Sequence, residues 1–396
     1  MSLIVQKYGG TSVGTVERIH EVARHIGDTA RAGHGVVAVV SAMGDHTDDL
    51  LELARSLNAD PPQREVDMLI SVGERITMSL ISIALNAQNL DALSLTGSQS
   101  GILTDAVHGN ARIVKILGDR IRDGLAKNRV VIVAGFQGMS QEAKEITTLG
   151  RGGTDLTAIA LAHTLKADLC EIYKDVDGVF TADPRLVKDA RVLKAMTWDG
   201  LVELTWAGSS VVHSRGAHLA EKFGIPLIIR SSFDWSQPGT RVSERFAVES
   251  IALTSLAHKR EQCCLELSTT SSEAVPLILR WLWERGETPT IIQQTRASDG
   301  QHEIRVVMAE GRSREVLAFL KGHDAAASLK SERRGLATVT VVGSGFWQSP
   351  ETLGRITTAL NEIPVEVFDS RNTAVTVCVP GRQLEATLNR LHAALF

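Results

Sequence analysis

A lysine and two glycines follow the first apolar run of the chain, in the stretch IVQKYGGTSVG over residues 4–14. A Gly-rich turn between a strand and a helix presents backbone N–H groups to an anion, and a nearby ammonium adds positive charge. Two familiar phosphate loops are excluded by spacing, because Lys7 precedes Gly9 and Gly10 instead of following a glycine run. The stretch is therefore either a phosphate-binding turn of another kind or an ordinary tight turn.

A second Gly-rich stretch, TTLGRGGTD over residues 147–155, bends around a single arginine. The planar guanidinium of Arg151 is suited to bidentate binding of a carboxylate. Thr154 and Asp155 follow at the expected capping position of a helix. By itself the pattern also fits a capped helix with a solvated arginine, so both interpretations stay open.

Glu74, in the sequence Gly73-Glu74-Arg75, is a candidate partner for an ammonium group. If its side chain points inward, a carboxylate near Arg151 makes a receptor matched to a zwitterion. If Glu74 and Arg75 both face solvent, they are ordinary surface charges on a helix.

Short apolar runs alternate with helical patterns up to about residue 240. The runs lie at residues 3–5, 36–40, 130–134, 169–173 and 225–229, and helical spacing occurs at residues 16–32, 65–87, 111–126 and 156–165. Strands without apolar/polar alternation are typical of a parallel sheet covered on both faces, so the predicted fold class is α/β. Ligands on such sheets bind at the carboxyl ends of strands. Lys7, Ser41, Gly135 and Lys174 are expected there.

The pattern changes after Pro238-Gly239. Strands are expected at residues 251–256, 262–267, 304–308, 337–342 and 374–379, and helices at 273–284, 312–320, 351–362 and 382–395. This βαββαβ order, occurring about twice, predicts two ferredoxin-like units. A binding or regulatory role suits them better than catalysis, because the tail has no Gly-rich loop or charge cluster like those of the first part.

Composition narrows the class of protein. At 396 residues, two or three domains are expected. A net charge of −4 and few aromatic residues argue against nucleic acid as a partner.

No apolar run approaches the roughly 18 residues of a membrane span, and the N-terminus does not resemble a signal peptide, so a soluble cytoplasmic protein is expected. The four cysteines lack C-x-x-C spacing and are expected to be buried free thiols.

Five polar stretches, each following an apolar run, carry a resemblance to a known family. They are KYGGTS at residues 7–12, SAMGDHTD at 41–48, GER at 73–75, TTLGRGGTD at 147–155 and KDVDGVFTADPR at 174–185. With these five stretches in this order, the chain resembles bacterial aspartate kinases, which have the amino acid kinase fold and C-terminal ACT domains. The resemblance implies a catalytic domain at 1–245, an inserted ACT domain at 263–333, and a second ACT domain from 250–262 plus 334–396.

The activity implied by the resemblance is phosphoryl transfer from MgATP to the side-chain carboxylate of L-aspartate, giving 4-phospho-L-aspartate for the aspartate-family amino acids. A carboxylate nucleophile needs no general base at neutral pH, so the task is positioning and charge stabilisation. Mg²⁺ would be held largely by the ATP phosphates and water. The ACT domains imply a homodimer.

The resemblance also implies roles for individual residues. Lys7 and Asp155 are the catalytic pair, with Asp155 orienting Lys7 and the substrate amine, while Arg151 binds the α-carboxylate and Glu74 the α-ammonium. The phosphate- and ATP-binding set is Lys7, Gly9, Gly10, Ser12, Lys174, Asp175, Phe180, Arg185 and Ser210. The substrate-binding set is Ser41, Thr47, Glu74, Arg151, Thr154 and Asp155.

Several positions depart from the family pattern. Lys174 stands where relatives have Ser or Thr, and Ser210 stands where they have a nucleotide-contacting lysine. Either Lys174 restores the missing charge at the phosphates, or it is solvated and ATP binds more weakly. The loops at residues 268–273, 288–294 and 369–373 also differ from those that line the lysine and threonine effector site in relatives. Feedback inhibition is therefore expected to be absent or altered.

Two alternative functions remain open at this stage. One is a kinase for a related amino acid or carboxylate in specialised metabolism. The other is a catalytically silent regulatory partner, although intact Lys7, Glu74, Arg151 and Asp155 argue against it.

Overall fold

The computed structural model describes residues 2–243, 253–271, 273–298, 300–322 and 327–396. The chain divides into two units. The first comprises Met1–Val179, Val192–Val202 and Ser210–Phe246, and the second comprises Phe180–Arg191, Glu203–Ser209 and Ala247–Phe396. The predicted boundary at residue 245 and the predicted start of the second ACT range, at 250–252, lie outside the described residues.

Strands and helices alternate along the first unit, as the sequence pattern indicated. The strands are β1 Leu3–Tyr8, β2 Gly35–Val40, β3 Ala92–Leu95, β4 Ile102–Thr104, β5 Ile113–Ile116, β6 Val130–Ala134, β7 Gln137–Ser140, β8 Ile146–Thr148, β9 Leu169–Lys174, β10 Ala195–Thr197, β11 Leu227–Ser231 and β12 Thr240–Ser243. The helices are α1 Val16–Arg31, α2 His46–Leu57, α3 Gln63–Ile70, α4 Val72–Asn86, α5 Asp119–Ala126, α6 Gly153–Leu165, α7 Trp198–Trp206 and α8 Ser214–Phe223.

The main sheet has the strand order β10-β12-β11-β9-β1-β2-β6-β3, and only the β11–β12 pair is antiparallel. The central strands are buried along most of their length because helices cover them, which confirms the α/β prediction. The carboxyl ends of β9, β1, β2 and β6 lie side by side in this order. They place Lys7, Ser41, Gly135 and Lys174 at one edge of the sheet, as predicted.

One helix prediction is wrong in its first half. Residues 111–126 were expected to be helical throughout, but residues 113–116 form β5, which pairs with β4 in a second sheet of order β5-β4-β7-β8. Gly118, with a φ of +72°, separates this strand from α5. The β-branched residues Ile113, Val114 and Ile116 favour the extended conformation, so strand pairing overrides a weak helical pattern.

The helical stretch Gln63–Asn86, which contains α3 and α4, is long and apolar enough to cross a membrane by composition alone. In its most apolar 18-residue window, 56% of the residues are buried inside the protein. Met78, Ile81 and Leu85 pack in one core cluster with residues of α1 and the sheet. Its apolar character therefore belongs to a core helix pair that also presents Glu74.

The second unit is one antiparallel sheet covered by helices. Its strands are β13 Ser255–Thr269, β14 Ile291–Arg296, β15 His302–Ala309, β16 Ser328–Val342, β17 Val367–Ser370 and β18 Ala374–Pro380, and its helices are α9 Ala274–Glu284, α10 Ser313–Lys321, α11 Pro350–Ala359 and α12 Leu384–Leu395. The element order repeats the βαββαβ pattern expected for two ferredoxin-like halves. The sequence patterns missed β14 and β17, the short edge strands.

The two halves of the second unit share long strands. Residues 255–269 form the single strand β13, although two strands were expected there, and residues 251 and 252 of the first expected strand lie outside the described residues. Register shifts near Gln262 and a φ of +52° at Glu261 bend this strand. Strands β14 and β17 lie at opposite ends of the strand order, yet Gln293 Nε2 of β14 donates a hydrogen bond of 3.2 Å to Asp369 Oδ1 of β17. The sheet therefore curls back on itself. All four cysteines are free and buried, as expected.

Candidate active site

A single carboxylate connects two lysines at the carboxyl edge of the main sheet. Lys7 Nζ lies 2.8 Å from Asp155 Oδ1, and Lys174 Nζ lies 3.0 Å from Asp155 Oδ2. The lysines come from the paired strands β1 and β9, and Asp155 comes from the first turn of α6 beneath them. The backbone N–H of His213 also donates to Asp155 Oδ2, over 3.3 Å. The structure therefore brings together three of the predicted site residues.

The charges of this cluster follow from its burial. Burial lowers the pKa of Lys7 to about 8; the Asp155 carboxylate opposes this effect, and the Lys174 ammonium adds to it. Burial alone would raise the pKa of Asp155, but the nearby Lys174 and Lys7 ammonium groups outweigh it and hold that pKa well below its usual range. Two ammonium groups thus share one carboxylate, and one positive charge is left over for an anion.

The turn after β1 depends on its two glycines. A Cβ at Gly9 would lie 3.3 Å from Lys7 Nζ, and a Cβ at Gly10 would lie 3.0 Å from the carbonyl oxygen of Gly44. Side chains at these positions would crowd the ammonium group or push apart the turns that follow β1 and β2. Ser12 is fully buried, and its hydroxyl lies 2.8 Å from that of Ser232, which donates to the carbonyl of Lys174.

Glu74 points inward from the first turn of α4. Its Oε1 accepts a hydrogen bond of 3.1 Å from the backbone N–H of Ala42, and its buried Oε2 has no partner among the described residues. The helix reaches this position because residue 73 is glycine, whose Cβ would lie 2.6 Å from the Cβ of Ala42. Burial raises the pKa of Glu74 to about 7. The solvent-facing interpretation of Glu74 is wrong, and the unpartnered oxygen is a ready acceptor for a cationic ligand.

Arg151 lies on the loop between β8 and α6, with Gly150 and Gly152 on either side at φ values of +75° and +70°. Its side chain is exposed and makes no hydrogen bond or ion pair with any described residue, so the guanidinium is available to a ligand. Thr154, nearly buried, accepts a hydrogen bond of 3.0 Å from the Ser41 hydroxyl. Thr47 is half-buried in the first turn of α2.

The capping prediction for this loop needs a correction. Gly152 occupies the N-cap of α6, which begins at Gly153, and no side chain caps it. Thr154 and Asp155 instead lie inside the first helical turn, where their side chains are buried. Asp155 bonds to the two lysines there because the helix lies directly below the strand ends. A carboxylate in this turn is also stabilised by the positive end of the helix dipole.

The remaining predicted nucleotide positions lie outside this cluster of side chains. Asp175, directly after β9, and Ser210 are both exposed in the first unit. Phe180, half-buried, and Arg185 belong to the second unit, where the Arg185 guanidinium pairs with Asp183 over 2.8 Å. Within the described ranges, no group of three or more His, Cys, Asp or Glu side chains could hold a metal ion.

Sequence patterns missed two charged residues that support the site. Asp67 of α3 is completely buried, and Arg215 of α8 binds the backbone just before Arg151. The sequence did contain a signal for Asp67, because it is an acidic residue inside an apolar helical run. If such a residue is buried, polar partners are expected around it. Arg215 gave no such signal.

Comparison with known proteins places the chain in a family. The sequence model of the amino acid kinase family matches residues 2–231. The aspartokinase of Mycolicibacterium smegmatis is 38% identical over 100% of this chain and 96% of its own, and aspartokinase 2 of Bacillus subtilis (strain 168) is 40% identical over 100% of this chain and 98% of its own.

Solved structures agree with the sequence comparisons. The crystal structure of E. coli aspartokinase III in complex with aspartate and ADP covers 100% of both chains with a TM-score of 0.84 at 21% identity, which shows a shared fold. The family resemblance predicted from the five motifs is confirmed. The chain belongs to the amino acid kinase family and, within it, to the aspartokinases.

Proposed function

We propose that this protein is an aspartate kinase, which transfers the γ-phosphoryl group of MgATP to the side-chain carboxylate of L-aspartate. The observation that carries the proposal is the grouping of Lys7 and Lys174 on Asp155 at the same strand edge as Glu74 and Arg151. Such a site offers positive charge to two anions and one buried carboxylate to an ammonium group. The relatives that bear the name aspartokinase support the same reaction.

In the proposed step, a side-chain carboxylate oxygen of aspartate forms a bond to the γ-phosphorus as the bond from that phosphorus to the bridging oxygen of ADP breaks. The carboxylate is already ionised, so no base is required. Lys7 and the N–H groups of Gly9 and Gly10 stabilise the charge on the transferring group. Asp155 orients Lys7 and the substrate amine, and Mg²⁺ enters as part of the MgATP substrate.

The other groups of the substrate need separate partners. Arg151 takes the α-carboxylate in a bidentate pair, and Glu74 takes the α-ammonium, with Ser41, Thr47 and Thr154 completing the pocket. Within the first unit, the nucleotide is assigned to Ser12, Asp175 and Ser210, together with Lys7, Lys174 and the two glycines.

The domain assignment extends this proposal to the whole chain. Residues 1–245 form the kinase domain, residues 263–333 form an ACT domain, and residues 250–262 with 334–396 form a second one. The ACT domains provide the surface of a homodimer. We also propose that the enzyme acts in the cytoplasm.

The activity is tested by trapping the acyl phosphate with hydroxylamine. Purified protein with MgATP and a panel of amino acids should give ATP-dependent hydroxamate from L-aspartate alone, as expected from the aspartokinases to which the chain is related. Omission of ATP is the control. Hydroxamate from another amino acid would instead support the related-kinase alternative, and none from any member would support a silent regulatory partner.

The raised pKa of Glu74 predicts a pH dependence of aspartate binding. Glu74 must be ionised to hold the ammonium group, and its pKa of about 7 means that it gains a proton as the pH falls below neutrality. The KM for aspartate should therefore rise toward low pH, by about tenfold per pH unit well below pH 7. Glu74→Gln should have a raised but flat KM between pH 5.5 and 8. The control is Glu65→Gln, at an exposed position of α3, and a Glu74→Gln enzyme that kept the wild-type slope would contradict the assignment.

The position of Lys174 predicts a role at the phosphates. With Asp155 already neutralising one of two ammonium groups, replacing Lys174 removes the surplus charge, so Lys174→Ser should raise the KM for ATP about tenfold. The same change should move the basic limb of the activity profile to higher pH, because Lys174 lowers the pKa of Lys7. Lys115→Ser, at an exposed site in β5, is the control. An unchanged KM for ATP in Lys174→Ser would mean that Lys174 does not compensate for Ser210.

The altered effector loops predict an enzyme in which lysine and threonine feedback is absent or altered. Thr288, Thr290 and Arg371 from these loops line a cavity of about 150 Å³ in the second unit. Its charged side chains already satisfy each other, since Arg371 pairs with Glu203 over 3.0 Å. An amino acid bound there would have to break that pair.

Activity should therefore persist in millimolar lysine plus threonine, added singly and together. Rates with matched concentrations of NaCl control for ionic strength, because lysine is added as a salt. Full inhibition by the lysine and threonine pair would show that feedback is retained.

A further inference from the structure

The side chain of Arg151 makes no hydrogen bond or ion pair with any described residue, whereas its backbone is held by neighbouring elements. A Cβ at Gly152 would lie 2.2 Å from the Cβ of His213 and 2.4 Å from its ring atom Cγ, and a Cβ at Gly150 would lie 3.0 Å from Asn110 Oδ1, so both flanking glycines are packed against neighbouring elements. Leu149, just before them, is fully buried and donates its N–H to the carbonyl of Phe136. A flexible arginine can hold a carboxylate in one place only if its backbone is held, so the neighbours that hold it matter to binding.

Asp67 holds this loop through Thr148 at the end of β8. It is 0% exposed, and its carboxylate accepts hydrogen bonds from the Thr148 hydroxyl at 2.5 Å and from the Gly109 N–H at 3.1 Å. The ring nitrogen Nδ1 of His108 lies 2.7 Å from its other oxygen. One buried carboxylate thus ties the segment at residues 108–109 to the end of β8, three residues before Arg151.

Arg215 holds the adjoining residues of the same two segments. Its guanidinium donates to the carbonyl of Leu149 at 2.7 Å, to Asn110 Oδ1 at 2.9 Å and to the carbonyl of Ala111 at 2.9 Å. No single lysine could reach all three acceptors in this geometry, because they require the planar fork of an arginine. Asp67 and Arg215 therefore fix the chain at two consecutive residues, 148 and 149.

We propose that Asp67 and Arg215 are positioning residues for the substrate carboxylate, acting through the backbone of Arg151 without touching the substrate. Apolar side chains could stabilise these loop segments as well as two buried charged groups do. The presence of the charged groups therefore points to precise placement of the loop as their role. The inference rests on the proposed role of Arg151 in binding the α-carboxylate of aspartate.

The test measures which kinetic constant changes. Arg215→Lys keeps the charge and loses the fork, and Thr148→Val removes one of the hydrogen bonds to Asp67 while preserving shape. Each should raise the KM for aspartate about tenfold or more, while kcat and the KM for ATP stay within about threefold. Asp67→Asn, which carries more risk of misfolding, should act in the same direction if it folds. The control is Arg122→Lys, because Arg122 also bridges two backbone carbonyls, those of Leu117 and Thr164, but contacts neither loop segment.

A double-mutant cycle separates positioning from general stability. In an Arg151→Met background, Arg215→Lys should leave the KM for aspartate unchanged, since the side chain through which it acts is gone. The same rise in both backgrounds would overturn the inference, as would a loss of kcat with an unchanged KM. A wild-type enzyme that made no aspartyl hydroxamate would instead show that the proposed function had failed, and the inference with it.

Discussion

The arrangement of this molecule depends on one buried carboxylate shared by two ammonium groups. Asp155 lies 2.8 Å from Lys7 and 3.0 Å from Lys174, and both partners come from neighbouring parallel strands. Burying three charges is unfavourable unless they satisfy one another, so the strand ends and the first turn of α6 must meet within hydrogen-bond distance. The parallel order of the sheet provides this meeting point, because it brings the carboxyl ends of strands from distant parts of the sequence to the same edge.

The rest of the site is organised around what this cluster leaves unsatisfied. One positive charge remains at the sheet edge, Glu74 has a buried oxygen without a described partner, and Arg151 extends unpaired from a fixed loop. The buried oxygen of Glu74 costs stability in the free protein, whereas the exposed Arg151 is solvated. In the proposed function, all three groups gain partners when a zwitterion with a second carboxylate and a polyphosphate bind. Glycines at positions 9, 10 and 73 allow the turns after β1 and β2 and the start of α4 to lie close to their neighbours. The groups available to ligands are therefore those that have no partner in the free protein.

Sequence reasoning identified much of this site because its signals are local. Apolar runs gave the five central strands of the main sheet, and the polar residues directly after them had to lie at one edge. The same reasoning was wrong at residues 111–118, where pairing with β4 decided the conformation of a short ambiguous segment. It also misassigned Thr154 and Asp155 to a cap, because a local pattern does not reveal which face of the first turn is buried. Long-range pairing and burial have no signature in a window of a few residues.

The amino-acid sequence alone determined the α/β class, the order of the elements, the family resemblance and the identity of the groups that can bind a phosphate, a carboxylate and an ammonium. The tertiary structure decided which of those groups are partners. Glu74 was equally compatible with solvent and with the interior until the close approach of Gly73 to Ala42 turned it inward. Lys174 faced Asp155 only once β9 was paired with β1, and Arg215 met the Arg151 loop only once α8 was packed beside it. Contacts between residues far apart in the chain depend on the summed packing of the whole domain, and for that reason no short stretch of sequence encodes them.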